Sequence, residues 1–238
     1  MNTLHTTAIL VFANSAKEEL ANKSIPNSEE LFDKLTQNTL LKAKKTGLPT
    51  FHFTDKDQVG SNFGERFTNA IATVFEKGFD NIITIGNDTP HLKTQHLKKT
   101  AKQLALGKTI IGPSVDGGFY LLGLQKNNFD VSKFEKLPWQ RYSLYSQIST
   151  WLQSESSELI KLPVLQDVDN EKDLRSLLLF SKTLCTSILL LIIGLLKVKL
   201  GLFHKKYNFI NLLSNRCFYN KGSPEISFVY CQHYPIIG

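Results

Sequence analysis

An α/β sandwich around a mainly parallel sheet, with one antiparallel excursion, is the fold class predicted by this 238-residue sequence. Three observations carry the prediction. Short runs rich in β-branched residues alternate with stretches whose apolar residues recur at helical spacing, the signature of strand–helix–strand units. The strand-like runs "KTIIGPS" and "FYLLGLQ" flank "VDGG", and Asp-Gly suits the tight turn of an antiparallel hairpin. Finally, "NIITI" runs straight into "GNDTP", which sets an acid, Asp88, beyond a strand's carboxyl end, where open α/β sheets bind ligands.

Along the chain, "TAILVFA" (7–13) reads as a buried strand. Residues 29–46 follow as a weakly amphipathic helix stopped near Gly47 and Pro49, and "PTFHFT" as a short second strand. From Asn62 to Gly78, Phe63, Phe67, Ala70, Ile71, Val74 and Phe75 line one helical face, with Asn62 as N-cap and Gly78 as the stop. After "NIITI", a helix beginning near Thr94 carries Leu97, Ala101, Leu104 and Ala105. The hairpin, a helix around 141–153, a strand "LIKLPVLQ" and a helix from Glu171 complete the body.

The composition, 42% hydrophobic and 21% charged, is that of a globular protein with enough core to fold without disulfides. The net charge of +7 hints at nucleic acid until it is divided. Residues 1–184 hold 22 Lys/Arg against 20 Asp/Glu, and residues 185–238 hold six against one. The body is nearly neutral, so no nucleic-acid face is expected. Cys185, Cys217 and Cys231 fit no zinc spacing, and their odd number argues against a disulfide framework, so a cytoplasmic location is expected. No basic segment precedes the first apolar run, and no signal peptide is expected.

We divide the chain into a domain at 1–182 and a hydrophobic, basic extension at 183–238. "TLCTSILLLIIGLL" (183–196) carries no charge and precedes Lys197, Lys199, Lys205 and Lys206. It is short of the roughly 20 residues of a membrane span. It reads either as a buried helix or dimer contact, or as an anchor peripheral at a membrane surface.

Each candidate for chemistry has a structural alternative. Asp88 either caps the turn into the helix near Thr94 or supplies carboxylate oxygen to a divalent cation. In "QDVDNEKDL", Asp167 and Asp169 point to the same side if the strand persists. Asp169 or Asn170 could instead cap the next helix, with Asp173 reaching back. Gly117 and Gly118 serve the hairpin, and would also let a ligand approach the backbone closely. No GxGxxG, Walker motif, His-x-x-x-His pair or Gly-x-Ser-x-Gly elbow occurs, which disfavours standard dinucleotide, P-loop, zinc and hydrolase sites.

In order, "FGERF", "TIGNDTPHL", "IGPSVDGGFYLLGL", "LPW" and "DVDNEKDL" resemble bacterial nucleotide-diphospho-sugar-transferase-like proteins of the arsenosugar-biosynthesis glycosyltransferase type. These are relatives of the GT-A superfamily and of the molybdenum-cofactor and phospholactate guanylyltransferases. The resemblance spans about residues 7–180. It implies a Rossmann-like GT-A three-layer sandwich, Mg²⁺ or Mn²⁺, a nucleotide sugar or nucleotide, and a small-molecule acceptor. By it, Asp88 holds the metal, with Asp167 or Asp169 as the second acidic contact. Asn87 and Asp116 lie in the matching motifs, Gly117 and Gly118 line the sugar or base pocket, Arg66 pairs with phosphate, and Trp139 faces a sugar ring. One segment departs from the family pattern. The basic, glycine-containing phosphate loop expected after the first strand reads "FANSAKEELANKSIP" here, leaving Lys17 and Lys23 as its candidate phosphate contacts. A glycosyltransferase reading follows, with a nucleotidyltransferase joining an NTP to a phosphorylated small molecule, or a catalytically silent binding protein with a membrane-associated tail, as alternatives.

Overall fold

The computed structural model describes residues 6–154 and 158–197. In chain order these form β1 (Thr7–Phe12), α1 (Ala16–Asn22), α2 (Glu29–Lys44), β2 (Thr50–Phe53), α3 (Phe63–Glu76), β3 (Asn81–Ile85) and α4 (Thr94–Leu104). There follow β4 (Thr109–Pro113), β5 (Phe119–Gln125), α5 (Val131–Glu135), α6 (Leu144–Ser154), β6 (Leu159–Lys161), α7 (Glu171–Leu178) and α8 (Thr186–Leu195). The strands make one sheet in the order β2-β1-β3-β5-β4-β6. β1 pairs in parallel with β2 and β3, and β4 with β6. β5 runs antiparallel between β3 and β4. This is the three-layer, Rossmann-like α/β architecture expected from the sequence.

The sheet is covered on both faces, which is why its strands read as unbroken apolar runs rather than alternating ones. Ala8 and Leu10 of β1 join a core with Phe67, Ile71 and Val74 of α3 and Ile148 and Leu152 of α6. Ile9 and Val11 enter the opposite core with Ala43 of α2 and Leu97 and Leu104 of α4. The helix signals were mostly legible. Asn62 accepts a hydrogen bond from Glu65 N at the start of α3, and Gly78, at φ +93°, ends it in the left-handed region that favours glycine.

Three local expectations change. The strand predicted at 159–166 is realised only over Leu159–Lys161; beyond Pro163 the chain returns to β4 through the bond from Leu165 N to Pro113 O. The segment after β1, where the family pattern places a phosphate loop that this sequence lacks, forms helix α1, whose "AKEELAN" consists largely of good helix formers. The five-residue α5, capped by Asp130, had no periodicity long enough to announce it.

Of the extension, residues 186–195 are helical and pack on α2, burying Ile188, Leu189, Ile192 and Ile193. No described helix is long and apolar enough to cross a membrane. The basic flank from residue 198 onward, with Cys217 and Cys231, lies outside the described residues.

Candidate functional site

β1 has β2 on one side and β3 on the other, so the chain reverses its direction of travel across the sheet there. The carboxyl ends of β1, β3 and β4 open into a cavity of about 470 Å³ at this switch point. Four segments wall it: α1, the first turn of α3, the hairpin between β4 and β5, and the extended chain after β6.

Asp88 leaves the end of β3 and does not cap α4, whose N-cap is Lys93. Its Oδ2 accepts instead from Lys23 Nζ at 2.8 Å, and the same ammonium also donates to Asp169 Oδ1. Asp169 is free for this because Asn170 takes the helix-capping role. Asn170 accepts from Asp173 N, while Asp173 accepts from Asn170 N. Two main-chain bonds hold the acids in place, Val168 N to Asp88 O at 3.0 Å and Ser24 N to Asp169 O at 3.0 Å. With Val168 buried between them, Asp167 and Asp169 both line the cavity although neither belongs to a strand.

Lys23 follows the last residue of α1, and its side chain is only 14% exposed. Burial alone would lower its pKa. Asp88 and then Asp169 outweigh that and hold it above the ordinary lysine range. One turn earlier on the same helix face, burial pushes Glu19 up to about 7, with Asp88 adding to the shift and Lys23 opposing it. Burial, then repulsion from Asp88 and Asp116, raises Asp167 far above the usual carboxylate range, against hydrogen bonds from Thr89 and Ser114. Asp167 is thus pushed towards its neutral form and is fastened to Thr89.

The other expected residues divide between wall and brace. Asn87 is buried, and its amide donates to Thr36 Oγ1 at 2.9 Å. Asp116 accepts from Ser114 Oγ and, at 2.9 Å, from Gly118 N, so it braces the hairpin turn while lining the cavity. Gly118 lines the cavity too. Gly117 does not; at φ +88° it turns the chain against Tyr142, where a Cβ would lie 2.3 Å from the Tyr142 carbonyl oxygen. Trp139 donates from Nε1 to Phe134 O at 2.7 Å and packs among Phe63, Phe67 and Phe119, forming a fixed aromatic wall. Arg66 lines the cavity, and no described carboxylate lies within ion-pair distance of it. Lys17 is exposed on α1 and does not line the cavity. Of the expected pair, Lys23 lines the cavity.

Sequence reasoning passed over Glu19, Asn22 and Tyr120, which also line the cavity. The Glu19–Lys23 spacing of four was a usable signal, since residues i and i+4 share a helical face. It was hidden because the segment was compared with a loop.

Five cavity carboxyls, Glu19, Asp88, Asp116, Asp167 and Asp169, face two basic side chains, Lys23 and Arg66. A ligand with a diphosphate could enter such surroundings only with added positive charge. Among the described residues no three His, Cys, Asp or Glu groups are gathered as a ready metal site. Asp88 and Asp169, however, already share one cation, the Lys23 ammonium. Two hard carboxylates plus ligand phosphates and water are what Mg²⁺ ordinarily takes, so the donor set fits a divalent ion.

No curated protein matches the chain in sequence. A crystal structure from Desulfovibrio desulfuricans G20, provisionally described as a nucleotide-diphospho-sugar transferase, superposes with a TM-score of 0.66 at 22% identity. The match covers 88% of this chain and 94% of that one. Rv0371c from Mycobacterium tuberculosis H37Rv superposes with a TM-score of 0.50 at 15% identity, over 74% of this chain and 99% of its own. A manganese complex of Rv0371c gives 0.42 at 14% identity, over 73% and 98%. The fold is thus the one shared with the Desulfovibrio structure and with Rv0371c. Residues 30–141, which hold Arg66, Asp88, the hairpin glycines and Trp139, match the model of the family described as an uncharacterized protein conserved in bacteria, DUF2064.

Proposed function

We propose that this protein is a transferase acting on a nucleoside-diphosphate sugar, with a divalent metal ion held by Asp88 and Asp169. One observation carries the reading: at the sheet's switch point, two carboxylates from distant segments share a single cation inside a cavity of about 470 Å³. The fold supports the coarse class, and the sequence motifs support the finer one.

A bound divalent ion would supply charge neutralisation to a diphosphate leaving group, an electrostatic contribution that asks little covalent chemistry of the protein. The remaining work belongs to the chain. Arg66, without a carboxylate partner, is free to give a phosphate oxygen a bidentate contact. Gly118 leaves the hairpin backbone bare for close approach, and Asp116 fixes that turn. Trp139 and Phe119 present an aromatic wall suited to a flat ring face. Asp167, bonded to Thr89, braces the site. With Lys23 and Arg66 as the only cavity cations among the described residues, a diphosphate is better accommodated than the triphosphate of a nucleotidyltransferase.

The test is thermal stabilisation of the full chain by UDP-, GDP- and dTDP-sugars and by NTPs, with Mg²⁺, Mn²⁺ or chelator. A ligand at about 100 times its Kd adds roughly 2.7 kcal/mol. The expected result is a metal-dependent shift with a diphosphate sugar that Asp88→Asn abolishes without unfolding the protein. Equal binding by Asp88→Asn with the metal chelated refutes the mechanism. A response confined to NTPs moves the assignment to nucleotidyl transfer, and a flat panel from folded protein moves it to a silent binding protein.

A further inference from the structure

We propose that Lys23 competes with a divalent cation for Asp88 and Asp169, so that metal enters only as the lysine turns to the ligand's phosphates, and the two bind as a coupled pair. The inference rests on the metal reading above and adds what the chain itself does before ligand arrives.

The geometry sets up the competition. One ammonium donates to Asp88 Oδ2 at 2.8 Å and to Asp169 Oδ1 as well, so both carboxylates spend a lone pair on the same cation. A divalent ion held by those two groups would sit a few ångströms from a positive charge that is 14% exposed and poorly screened. At such range two positive charges repel strongly. Lys23 must therefore leave for the ion to be held well. The backbone has no such freedom: Lys23 N donates to Glu19 O, and Ser24 N to Asp169 O. The side chain has it, because four methylenes carry a compact ammonium that reorients readily.

Where the ammonium goes is set by its surroundings. The remaining cavity carboxyls do not offer an equal partner. Glu19 is buried on the same helix face as Lys23, Asp167 is engaged with Thr89, and Asp116 is engaged with Ser114 and Gly118. The best new acceptor is thus an incoming phosphate. Without one, displacing Lys23 leaves an unpaired, mostly buried ammonium, which is costly. Metal alone should therefore bind weakly, and metal with diphosphate should bind well. Replacing Lys23 by an apolar residue of similar length should remove the competitor and, with it, the phosphate contact.

The experiment measures Mn²⁺ binding to the full chain by the loss of the free-ion EPR signal, for wild type, Lys23→Met and Lys23→Arg, with circular dichroism to verify folding. Pyrophosphate binding is followed in parallel by calorimetry at fixed Mn²⁺. The expected result is Mn²⁺ binding about tenfold or more tighter in Lys23→Met than in wild type, within the usual range of site-to-site coupling. Pyrophosphate binding should weaken by a similar factor. Lys23→Arg, which keeps the competing cation, should bind Mn²⁺ no better than wild type, and this arm stands even if Lys23→Met fails to fold. Equal Mn²⁺ affinities in Lys23→Met and wild type, or tighter binding in Lys23→Arg than in wild type, overturn the competition while leaving the metal reading intact. Absence of any Mn²⁺ binding in folded Lys23→Met overturns both.

Discussion

At Gly64 a single methyl group tests whether Trp139 is a fixed wall of the cavity. A Cβ there would fall 2.4 Å from Trp139 Cδ1 and 2.7 Å from Nε1. Ordinary carbon contacts lie at roughly 3.5–4.0 Å, so the indole would have to retreat by about 1 Å. It has little room. Its N–H is bonded to Phe134 O at 2.7 Å, and its ring lies 5.3 to 6.3 Å, centroid to centroid, from Phe63, Phe67, Phe119 and Phe134. Overpacking of this kind costs about 1–3 kcal/mol, and a weakened buried hydrogen bond about 1 kcal/mol more. Alanine's helix preference over glycine returns at most about 1 kcal/mol. Gly64→Ala should therefore destabilise by about 2 kcal/mol. In a body of this size that is a fall in Tm of about 4–8 °C. Urea unfolding followed by tryptophan emission should show a lower midpoint, an unchanged slope and a red-shifted folded-state spectrum. In a Trp139→Phe background the penalty should shrink, a coupling that a double-mutant cycle measures. A Gly64→Ala midpoint at or above wild type, with unchanged emission, would refute the fixed wall.

Two further outcomes follow from the same surroundings. Glu19 titrates at about 7 in the folded chain against 4.5 for an unburied glutamate, so the folded state binds its proton more tightly. Stability from this group is complete below about pH 4.5 and is lost as pH rises through 7, by at most about 3 kcal/mol. Glu19→Gln should flatten melting temperature between pH 5 and 8 in the presence of chelator and be the more stable form at pH 8; parallel curves would contradict this. Gly117→Ala combines φ +88° with a Cβ 2.3 Å from the Tyr142 carbonyl oxygen and should cost about 2–4 kcal/mol. Gly118→Ala meets only the Asp116 and Ser114 side chains, at 3.2 Å, and should cost distinctly less. Equal melts for the two variants would argue against the turn described here.

The sequence was most legible where local signals and burial agreed. Asn62 and Gly78 bracketed α3 because capping and positive φ are properties of single residues. The runs 7–13 and 81–85 declared themselves as strands because both their faces are covered. The insertion of β5 between β3 and β4 was not legible, since an Asp-Gly turn announces a hairpin and says nothing of which neighbour its second strand will take. Asp88 showed the same limit. Its turn chemistry allowed a cap, and only the tertiary approach of Lys23, 65 positions away in sequence, decides against one. Lys23 was named together with Lys17, and comparison with a loop gave no means of choosing between them: the residue that does enter the cavity directly follows a helix, and helical spacing was not sought there.

The two main-chain bonds beside the acids, Val168 N to Asp88 O and Ser24 N to Asp169 O, have a consequence for how the protein is made. They tie together stretches of chain that leave the ribosome far apart in time. Until residues near 170 have emerged, Asp88 has neither its backbone partner nor the companion acid that shares its lysine, and the strand ends stand open. Contacts of such long sequence separation also form slowly in refolding. Ligand competence should therefore come last, as one step, after the sheet exists. A chain cut short just before residue 167 would have all six of the sheet's strands and neither Asp167 nor Asp169 at their ends.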